Sequence, residues 1–472
     1  MCGFVFIRSK KELEKKKIDF LVTREKKRGP DAEGYSVFKS TDNYNNYFIH
    51  FLLDISGKKI VQPIEDNKNI LLFNGEIYNY PKNEYSTDTE YLFYNSEIIK
   101  GNNNFNLDGE YAYLKFDKIK NECFVGLDAF MTKPLFYGYS DDKEIFGISS
   151  YASALKKLDL NVKDFKANSF FKFSFNRNSF EKKIFTNTSK KFDLKQHDDT
   201  YQKWENSFLD AVKKRATHGE NLPFVSLSSG YDSGAICCAL NILNLKYQTY
   251  SILKNENLEI LNKRLKLNEE LGTCVKKNLI DSISFFEKKN IEKDVKLNLD
   301  NFTYYHLDRG KKLKLAEDGG TLGSMKIAKI AKLNGFKVHI SSCGADEIIS
   351  DYGFNGKKIF SHSEFGGFFP ENLENIFPWK KFYNDSQRSY LFKEEYVFGR
   401  YGLESRYPFL DTQVVQNFLN LKKELKNSEY KSPIAFFLRK HDYPFDEGIK
   451  LGFNPRNYSL LERILNKFKF LR

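Results

Sequence analysis

The hydrophobic pattern of this chain changes near residue 190, and that change limits what the chain can fold into. Before it, short apolar runs such as FVFI, NYFIHFLL and YAYLKF are separated by clusters of Asn, Asp, Gly and Lys, which is typical of a strand-rich layered structure. After it, apolar strands alternate with helical segments, as in LPFVSLS followed by AICCALNIL. Strands separated by helices predict a parallel α/β sheet.

We therefore predict two domains, residues 2–190 and 200–472, joined by the polar passage TNTSKKFDLKQHDD. The length agrees, because 472 residues exceed what one core usually serves, about 250 residues. An apolar fraction of 41% suffices for two cores, and no run approaches the roughly 18 apolar residues of a membrane helix. The expectation is a soluble globular protein with no membrane partner.

The cysteines and the chain start bear on the compartment. The start, MCGFVFIRSKKELEKKK, lacks the long apolar region and cleavage site of a secretory signal. No CxxC spacing occurs among the six cysteines, which argues against a zinc site or disulfide framework and for a reducing compartment. The expected location is cytoplasmic. The cysteines are Cys2, Cys123, Cys237, Cys238, Cys274 and Cys343.

The formal net charge of +13 raises the question of nucleic-acid binding. The lysines alternate with Glu, Asp and Asn along the whole chain and form no basic stripe with interleaved aromatic residues. No nucleic-acid partner is therefore predicted, although the positive field suits an anionic ligand such as ATP.

Cys2 follows the initiator methionine, so removal of Met1 leaves one residue with both a thiol and an α-amino group. An α-amino group titrates near about 7.8 and a thiol near about 8.5, so the amine can accept the thiol proton at neutral pH. A cysteine at position 2 is by itself most often an ordinary terminal residue. The motifs that follow it decide otherwise.

Five motifs resemble, in order, the glutaminase domain of class II glutamine amidotransferases, specifically that of asparagine synthetases. The resemblance implies an N-terminal-nucleophile hydrolase fold, an αββα sandwich in which Cys2 attacks the side-chain amide of glutamine. The motifs are RGPDAEG at 28–34, FNGEIYNY at 73–80, STDTE at 86–90, LDGEYAYLKFD at 107–117 and TKPLFYG at 132–138.

The same resemblance assigns roles to four further residues. Asn74 and Gly75 fall where the family forms its oxyanion hole, which suits an amide N–H and a backbone N–H. Glu76 and Asp88 fall where the family binds the glutamine α-amino group, for which a carboxylate is the natural partner. All four are expected to contact glutamine.

One expected residue is missing. The family carries an arginine for the glutamine α-carboxylate in a strand that here is FIHFLLDISG, where Phe51 or an apolar neighbour replaces it. Loss of such a pair costs about 2 kcal/mol of binding. Arg24, Lys58 and Lys59 are the candidate substitutes, and a weak glutaminase or use of free ammonia is the alternative.

The second half opens with SLSSGYDSG at 226–234, between a strand and a helix. It resembles the PP-loop of ATP pyrophosphatases, in which backbone amides and hydroxyls at a helix N-terminus hold pyrophosphate. Three further blocks, SSCGADEIISDYG at 341–353, LESRYPFLD at 403–411 and KSPIAFFLR with KLGF at 431–439 and 450–453, resemble the synthetase domain of asparagine synthetases.

The resemblance implies ATP as substrate, Mg²⁺ as cofactor and adenylation of a carboxylate, after which ammonia displaces AMP. Asp232 and Asp346 are the expected magnesium ligands, and Lys431 is expected to contact the phosphates or the acyl-adenylate. The full set expected to bind ATP is Leu227, Ser228, Ser229, Gly230, Asp232, Ser233, Ser341 and Lys431.

Departures from the family concentrate in these loops. Cys343 stands where most relatives carry an acidic residue in the synthetase site, preceded by Ser342 in place of glycine. It marks either a changed acceptor pocket or a small buried residue in a drifted loop. Ser229 and Gly234 also depart from the PP-loop pattern, and Tyr231 is expected to pack rather than bind.

The leading hypothesis is a glutamine-dependent amidotransferase that makes asparagine from aspartate. Its alternative is amidation of another carboxylate, such as a uronic acid of a surface polysaccharide. The β-lactam and lasso-peptide cyclases that share this synthetase domain use no ammonia, and the presence of Cys2 argues against them. A degenerate nucleotide-binding scaffold is disfavoured because Cys2, Asp232, Asp346 and Lys431 occur together. The family also suggests a homodimer.

Overall fold

The computed structural model describes residues 2–95, 107–176, 179–185, 190–300, 302–305 and 312–447. The KLGF motif at 450–453 lies outside them. Most of the first half consists of two six-stranded antiparallel sheets, with strand orders β10-β8-β9-β1-β3-β2 and β12-β11-β7-β6-β5-β4. Their strands are β1 (Gly3–Ser9), β2 (Ala32–Lys39), β3 (Asn45–Leu52), β4 (Ile64–Glu65), β5 (Asn69–Ile77), β6 (Gly109–Asp117), β7 (Glu122–Leu127), β8 (Phe136–Tyr139), β9 (Ile145–Ser149), β10 (Asn161–Asp164), β11 (Phe170–Asn176) and β12 (Ser179–Phe185).

The two antiparallel sheets face each other across a core of aromatic rings. Phe6 of β1 and Phe48 of β3 lie 5.7 and 5.5 Å from the Phe116 ring of β6, measured between ring centroids. Helices cover the outer faces: α3 (Asp88–Tyr94) contacts β5, and α4 (Ala152–Lys156) contacts β8 and β9. This is the predicted αββα sandwich. Two shorter helices, α1 (Lys15–Leu21) and α2 (Glu25–Arg28), lie between β1 and β2 in the sequence.

The second half is built on a five-stranded parallel sheet of order β15-β14-β13-β18-β21. Its strands are β13 (Pro223–Ser226), β14 (Tyr247–Ile252), β15 (Cys274–Ile280), β18 (Val338–Ile340) and β21 (Glu404–Arg406). The remaining strands form two small antiparallel pairs, β16 (Thr303–Tyr305) with β17 (Lys312–Lys314) and β19 (Gly353–Phe354) with β20 (Lys357–Lys358). The parallel sheet confirms the predicted α/β class.

Helices separate the parallel strands, as the alternating pattern predicted. They are α5 (Gln202–Thr217), α6 (Tyr231–Ile242), α7 (Leu258–Glu270), α8 (Phe285–Asn298), α9 (Gly319–Leu333), α10 (Lys380–Tyr383), α11 (Asp385–Gly399), α12 (Thr412–Asn420), α13 (Lys423–Lys426) and α14 (Ser432–Lys440). Local sequence sets their starts. Ser284 and Glu287 form a capping box before α8, and Asp318 accepts hydrogen bonds from the first backbone amides of α9.

Residues 190–199 are packed rather than free. The Lys190 backbone amide donates to Asn168 at 2.8 Å, and Asp198 pairs with Leu421 as an isolated bridge. The predicted domain limits stay a prediction. Among the described residues, no helix is long and apolar enough to cross a membrane.

Buried ion pairs join the two halves of the chain. Arg28 pairs with Glu395 of α11, and neither side chain is exposed to solvent. Arg215 of α5 donates from Nε to Glu110 of β6 at 2.6 Å. Because an unpaired buried charge costs several kcal/mol, these pairs fix how the parallel sheet sits against the sandwich.

Candidate active sites

Cys2 lies just before β1, buried at the floor of a cavity. Its Sγ lies 3.9 Å from the carbonyl oxygen of Leu53. Burial raises the pKa of the Cys2 thiol to about 11, although the positive chain terminus acts in the opposite direction. The thiol is therefore protonated at neutral pH, and a nucleophilic role requires a base that takes its proton.

Asn74 and Gly75 lie on β5, and Gly75 lines the cavity with Cys2. Both side-chain polar atoms of Asn74 are buried without a hydrogen-bond partner among the described residues. An unpartnered buried amide is costly unless a ligand satisfies it. Gly75 has φ +134°, and a Cβ there would lie 1.9 Å from the carbonyl oxygen of Glu110, so only glycine fits.

Glu76 lines the same cavity, but its carboxylate is held from the second half of the chain. Oε2 lies 2.7 Å from Nε2 of His218 and accepts from the Ser56 hydroxyl at 2.9 Å, while Oε1 lies 3.3 Å from Arg406. Burial and nearby Glu404 oppose ionisation, yet His218 and Arg406 outweigh them and hold the pKa of Glu76 below its usual range.

Asp88 is the first residue of α3, after the N-cap Thr87. Its Oδ2 accepts a hydrogen bond from the backbone N–H of Ile77 at 3.0 Å. Burial, followed by repulsion from Glu76, raises the pKa of Asp88 to about 7. A cation entering the cavity would bind the ionised form, so Asp88 and Glu76 suit an ammonium group.

The three candidate substitutes for the missing arginine differ in position. Phe51 is buried in β3, as the sequence indicated. Arg24 pairs with Asp300, and Lys59 donates to the carbonyl oxygen of Asp31 at 3.2 Å. Lys58 lines the cavity. It is therefore the one of the three that the structure brings to Cys2.

Three residues that the motifs did not predict act at this cavity or on Glu76, and all three come from the other half of the chain. Glu404, on β21, lines the cavity with Cys2, and Arg406 donates to it at 2.7 Å. Both residues belong to the LESRYPFLD block, but the motif does not predict that they lie near Cys2. His218 ends α5 and belongs to none of the motifs.

The second centre follows β13, where SLSSGYDSG turns into α6. The Ser233 hydroxyl accepts from the backbone amide of Ser228 at 3.0 Å, and Arg264 donates to the carbonyl oxygens of Ser228 and Gly230 at 2.7 and 2.8 Å. Ser229 donates to Glu256 from both its amide and its hydroxyl, at 2.7 and 2.6 Å. The loop is thus fixed before any ligand arrives.

Gly234 departs from the PP-loop pattern for a packing reason. A Cβ at this position would lie 2.5 Å from the guanidinium of Arg264. The glycine therefore makes room for the arginine that holds the loop carbonyls. Tyr231 is buried against Tyr430 and Phe445, with edge-on rings at 5.7 and 5.2 Å, so it packs.

Asp232, Asp346 and Lys431 meet at this loop. The Lys431 Nζ lies 2.6 and 2.7 Å from the two oxygens of Asp232, and 2.7 Å from Oδ1 of Asp346. Burial opposes the charge on Lys431, but the two carboxylates outweigh burial and raise its pKa. Two carboxylates converging on one cation form a donor set that suits a hard divalent ion.

Cys343 is half-buried in the loop after β18 and packs against apolar side chains of both major cores. Burial, followed by nearby Glu394 and Glu347, raises the pKa of its thiol well above the usual value. The residue is a neutral thiol. Ser341, in the same loop, accepts a hydrogen bond from the Cys343 amide at 3.1 Å.

One further group could hold a metal ion. One ligand atom from each of Glu76, Asp88 and His218 lies within 4.8 Å of the other two. The Arg406 guanidinium beside Glu76 already carries a positive charge and so disfavours a metal ion at this group. Asp232 and Asp346 are therefore the better candidates for metal ligands.

Comparison with known proteins agrees with the two-part architecture. Residues 1–196 match the family model described as a glutamine amidotransferase domain. A Methanocaldococcus jannaschii protein that carries the asparagine synthetase (glutamine-hydrolyzing) name is 27% identical over 416 residues, 80% of this chain and 70% of that protein. Human asparagine synthetase (glutamine-hydrolyzing) is 25% identical over 451 residues, 84% of this chain and 73% of the human protein.

A third relative matches a shorter stretch. Asparagine synthetase (glutamine-hydrolyzing) 1 of Bacillus subtilis is 28% identical over 184 residues, 34% of this chain and 28% of that protein. Residues 1–196 thus resemble a glutamine amidotransferase domain, and the chain is similar to asparagine synthetases over most of its length.

Proposed function

We propose that this protein hydrolyses glutamine at Cys2 and uses the ammonia, with ATP, to convert L-aspartate into asparagine. The observation that carries the proposal is the pairing of two separate centres in one chain. The buried Cys2 thiol lines one cavity with Gly75, whose neighbour on β5 carries the unpartnered Asn74 amide. Asp232 and Asp346 converge on the Lys431 ammonium at the other centre.

Hydrolysis begins when the Cys2 sulfur attacks the side-chain carbonyl carbon of glutamine. The α-amino group of Cys2, free once Met1 is removed, takes the thiol proton, since burial raises the pKa of the thiol and disfavours the thiolate. The oxygen anion that forms needs donors, and the Asn74 side chain with the Gly75 backbone amide supplies them. The intermediate then collapses: the C–N bond breaks, the α-ammonium group returns its proton to the leaving nitrogen, and ammonia departs from the thioester. Water hydrolyses the thioester, which releases glutamate and the Cys2 thiol.

Recognition of glutamine uses charge at both ends of the amino acid. Asp88 and Glu76 pair with the α-ammonium group, and Lys58 takes the α-carboxylate in place of the family's arginine. An exposed lysine is a point charge on a flexible stem, so it holds a carboxylate less firmly than a bidentate guanidinium does. We expect a high KM for glutamine.

Amide synthesis takes place at the second centre. The first turn of α6, which begins at Tyr231 after the Ser228–Gly230 loop, would direct its backbone amides toward the phosphates of ATP. Asp232 and Asp346 would hold Mg²⁺, which neutralises developing charge on pyrophosphate when bound. Lys431 supplies a positive charge at the same point and would release its two carboxylates when a metal–nucleotide complex arrives.

The test is a carboxylate screen for pyrophosphate release that requires both glutamine and the carboxylate, with aspartate first and glutamate as the nearest homologue. We expect AMP and pyrophosphate with aspartate. Cys2→Ala should abolish glutamine-driven synthesis and leave ammonia-driven synthesis, while Cys274→Ala serves as a matched control. Release of ADP and phosphate would contradict adenylation, and glutaminase retained in Cys2→Ala would remove Cys2 from the mechanism.

A further inference from the structure

Glu394 of α11 is a half-buried acid that the proposed mechanism has not used. One of its carboxylate oxygens, Oε2, is buried and finds no hydrogen-bond donor among the described residues. A buried oxygen is costly to leave unsatisfied, so a proton or a hydrogen-bond donor from a ligand would complete it.

The other side of the carboxyl group faces the synthetase loop. Ser341, at the end of β18, donates its hydroxyl to Glu394 and accepts the Cys343 amide at 3.1 Å. Asp346 lies further along the same loop and carries one of the two carboxylates that hold Lys431. The Ser341 hydroxyl therefore bridges the Glu394 carboxyl group and the backbone amide of Cys343.

The charged and titratable groups around Glu394 are mostly engaged with other partners. Glu395 pairs with Arg28 and Lys133 and accepts from the Tyr407 hydroxyl. Lys393 lies 3.4 Å from Asp318.

Glu347 accepts a hydrogen bond from the Tyr352 hydroxyl. Burial raises the pKa of Glu394 to about 7, with Glu395 and Glu347 adding to the rise and Ser341 and Lys393 opposing it. Glu394 can accordingly gain or lose a proton near neutral pH.

Amide formation at this centre needs such a group. Ammonia attacks the activated carboxyl carbon, a C–N bond forms, and the C–O bond to AMP breaks with its electron pair leaving on AMP. The attacking nitrogen still carries the three hydrogens of ammonia, whereas the amide product carries two, so a base must accept one proton. We propose that the Glu394 carboxylate accepts this proton, an inference that rests on the proposed function.

The assignment also accounts for Cys343. This position, where relatives carry an acid, holds a neutral thiol that cannot accept the proton at neutral pH. A carboxylate from α11 stands beside it instead.

The test uses Glu394→Gln, which keeps shape and removes the charge, in the full chain. Three activities are measured: aspartate-dependent exchange of pyrophosphate into ATP, asparagine formation from ammonia, and glutaminase. We expect exchange and glutaminase within about twofold of the parent, and asparagine formation reduced about 100-fold. At constant free NH₃, the parent rate should rise with pH through about 7, where Glu394 ionises, and the variant should lose that rise.

Glu374→Gln, at an exposed position, is the matched control and should change nothing. Cys343→Glu added to Glu394→Gln should restore asparagine formation at least about tenfold, because it returns a carboxylate to the loop. Unchanged asparagine formation in Glu394→Gln, or loss of exchange in parallel with it, would overturn the proposal. Parent exchange with aspartate is measured first, so failure of the proposed function is a separate result.

Discussion

The Nε2 atom of His218 lies 2.7 Å from Oε2 of Glu76. The two residues belong to different halves of the chain, since His218 ends α5 and Glu76 lies on β5. The imidazole is held edge-on against Tyr78, with 5.2 Å between ring centroids. An acid in the Cys2 cavity is therefore positioned by the half of the chain that carries the parallel sheet.

Removing this histidine should weaken glutamine binding without affecting ammonia-driven synthesis. In His218→Ala the Glu76 carboxylate loses a hydrogen bond of the charged type, worth about 1.5–3 kcal/mol, and can turn from its present position. We expect KM for glutamine to rise about tenfold, with a smaller change in kcat, in steady-state glutaminase assays. His197→Ala, at an exposed histidine, is the control, and equal KM values in the two variants would contradict the positioning role.

Asp88 should give glutamine binding a pH dependence. The α-ammonium of glutamine pairs with the ionised carboxylate, and burial places the pKa of Asp88 at about 7 in the unliganded protein. KM for glutamine should therefore fall about tenfold as pH rises from about 6 to about 8. Asp88→Asn should show a high KM at every pH, and a variant that keeps the fall would assign the titration to another group.

Two adjacent lysines offer a matched pair for the missing arginine. Lys58 lines the Cys2 cavity, whereas Lys59 contacts the carbonyl oxygen of Asp31 outside it. Lys58→Ala should raise KM for glutamine about tenfold, because the α-carboxylate loses its counter-charge, and Lys59→Ala should leave it unchanged. Isothermal titration with glutamate, the product, would report the same difference without turnover. Equal effects would show that neither lysine is selective.

Lys431 and a divalent ion should compete for the same two carboxylates. Lys431→Met leaves Asp232 and Asp346 without a counter-charge, so Mn²⁺ alone should bind about tenfold more tightly than in the parent, as measured by electron paramagnetic resonance. Pyrophosphate exchange should fall at the same time, since the phosphates lose a cation. Lys329→Met, at an exposed position of α9, is the control. Unchanged Mn²⁺ affinity would mean that the ammonium and the metal do not share the site.

Most of the fold could be predicted from the sequence because its signals are local. The apolar runs became strands, YQKWENSFLDAVKKRA became α5, and the turn after LPFVSLS became the start of α6. Phe51 lies in a buried strand, as the sequence indicated, so a phenylalanine stands where the family's arginine was expected.

The rest could not be predicted, because it depends on contacts between residues far apart in the chain. His218 sits at a helix end with no motif around it, and Glu394 lies in the charged helix DSQRSYLFKEEYVFG, where an acid normally faces solvent. From the sequence, Gly234 is only a departure from the PP-loop pattern; in the structure, the Arg264 guanidinium fills the space that a side chain at this position would need. In each case the partner, which the pattern cannot reveal, gives the residue its role.

Arg28 connects the first residue of the sandwich to α11. Its Nε donates to the carbonyl oxygen of Cys2 at 2.7 Å, and its Nη atoms bind the backbone and side chain of Glu395. If the first 196 residues were expressed alone, Arg28 would lose the Glu395 carboxylate while still contacting the backbone of Cys2. A chimera that exchanges the second half for another must therefore supply an acid in the place of Glu395 if Arg28 is to keep its partner.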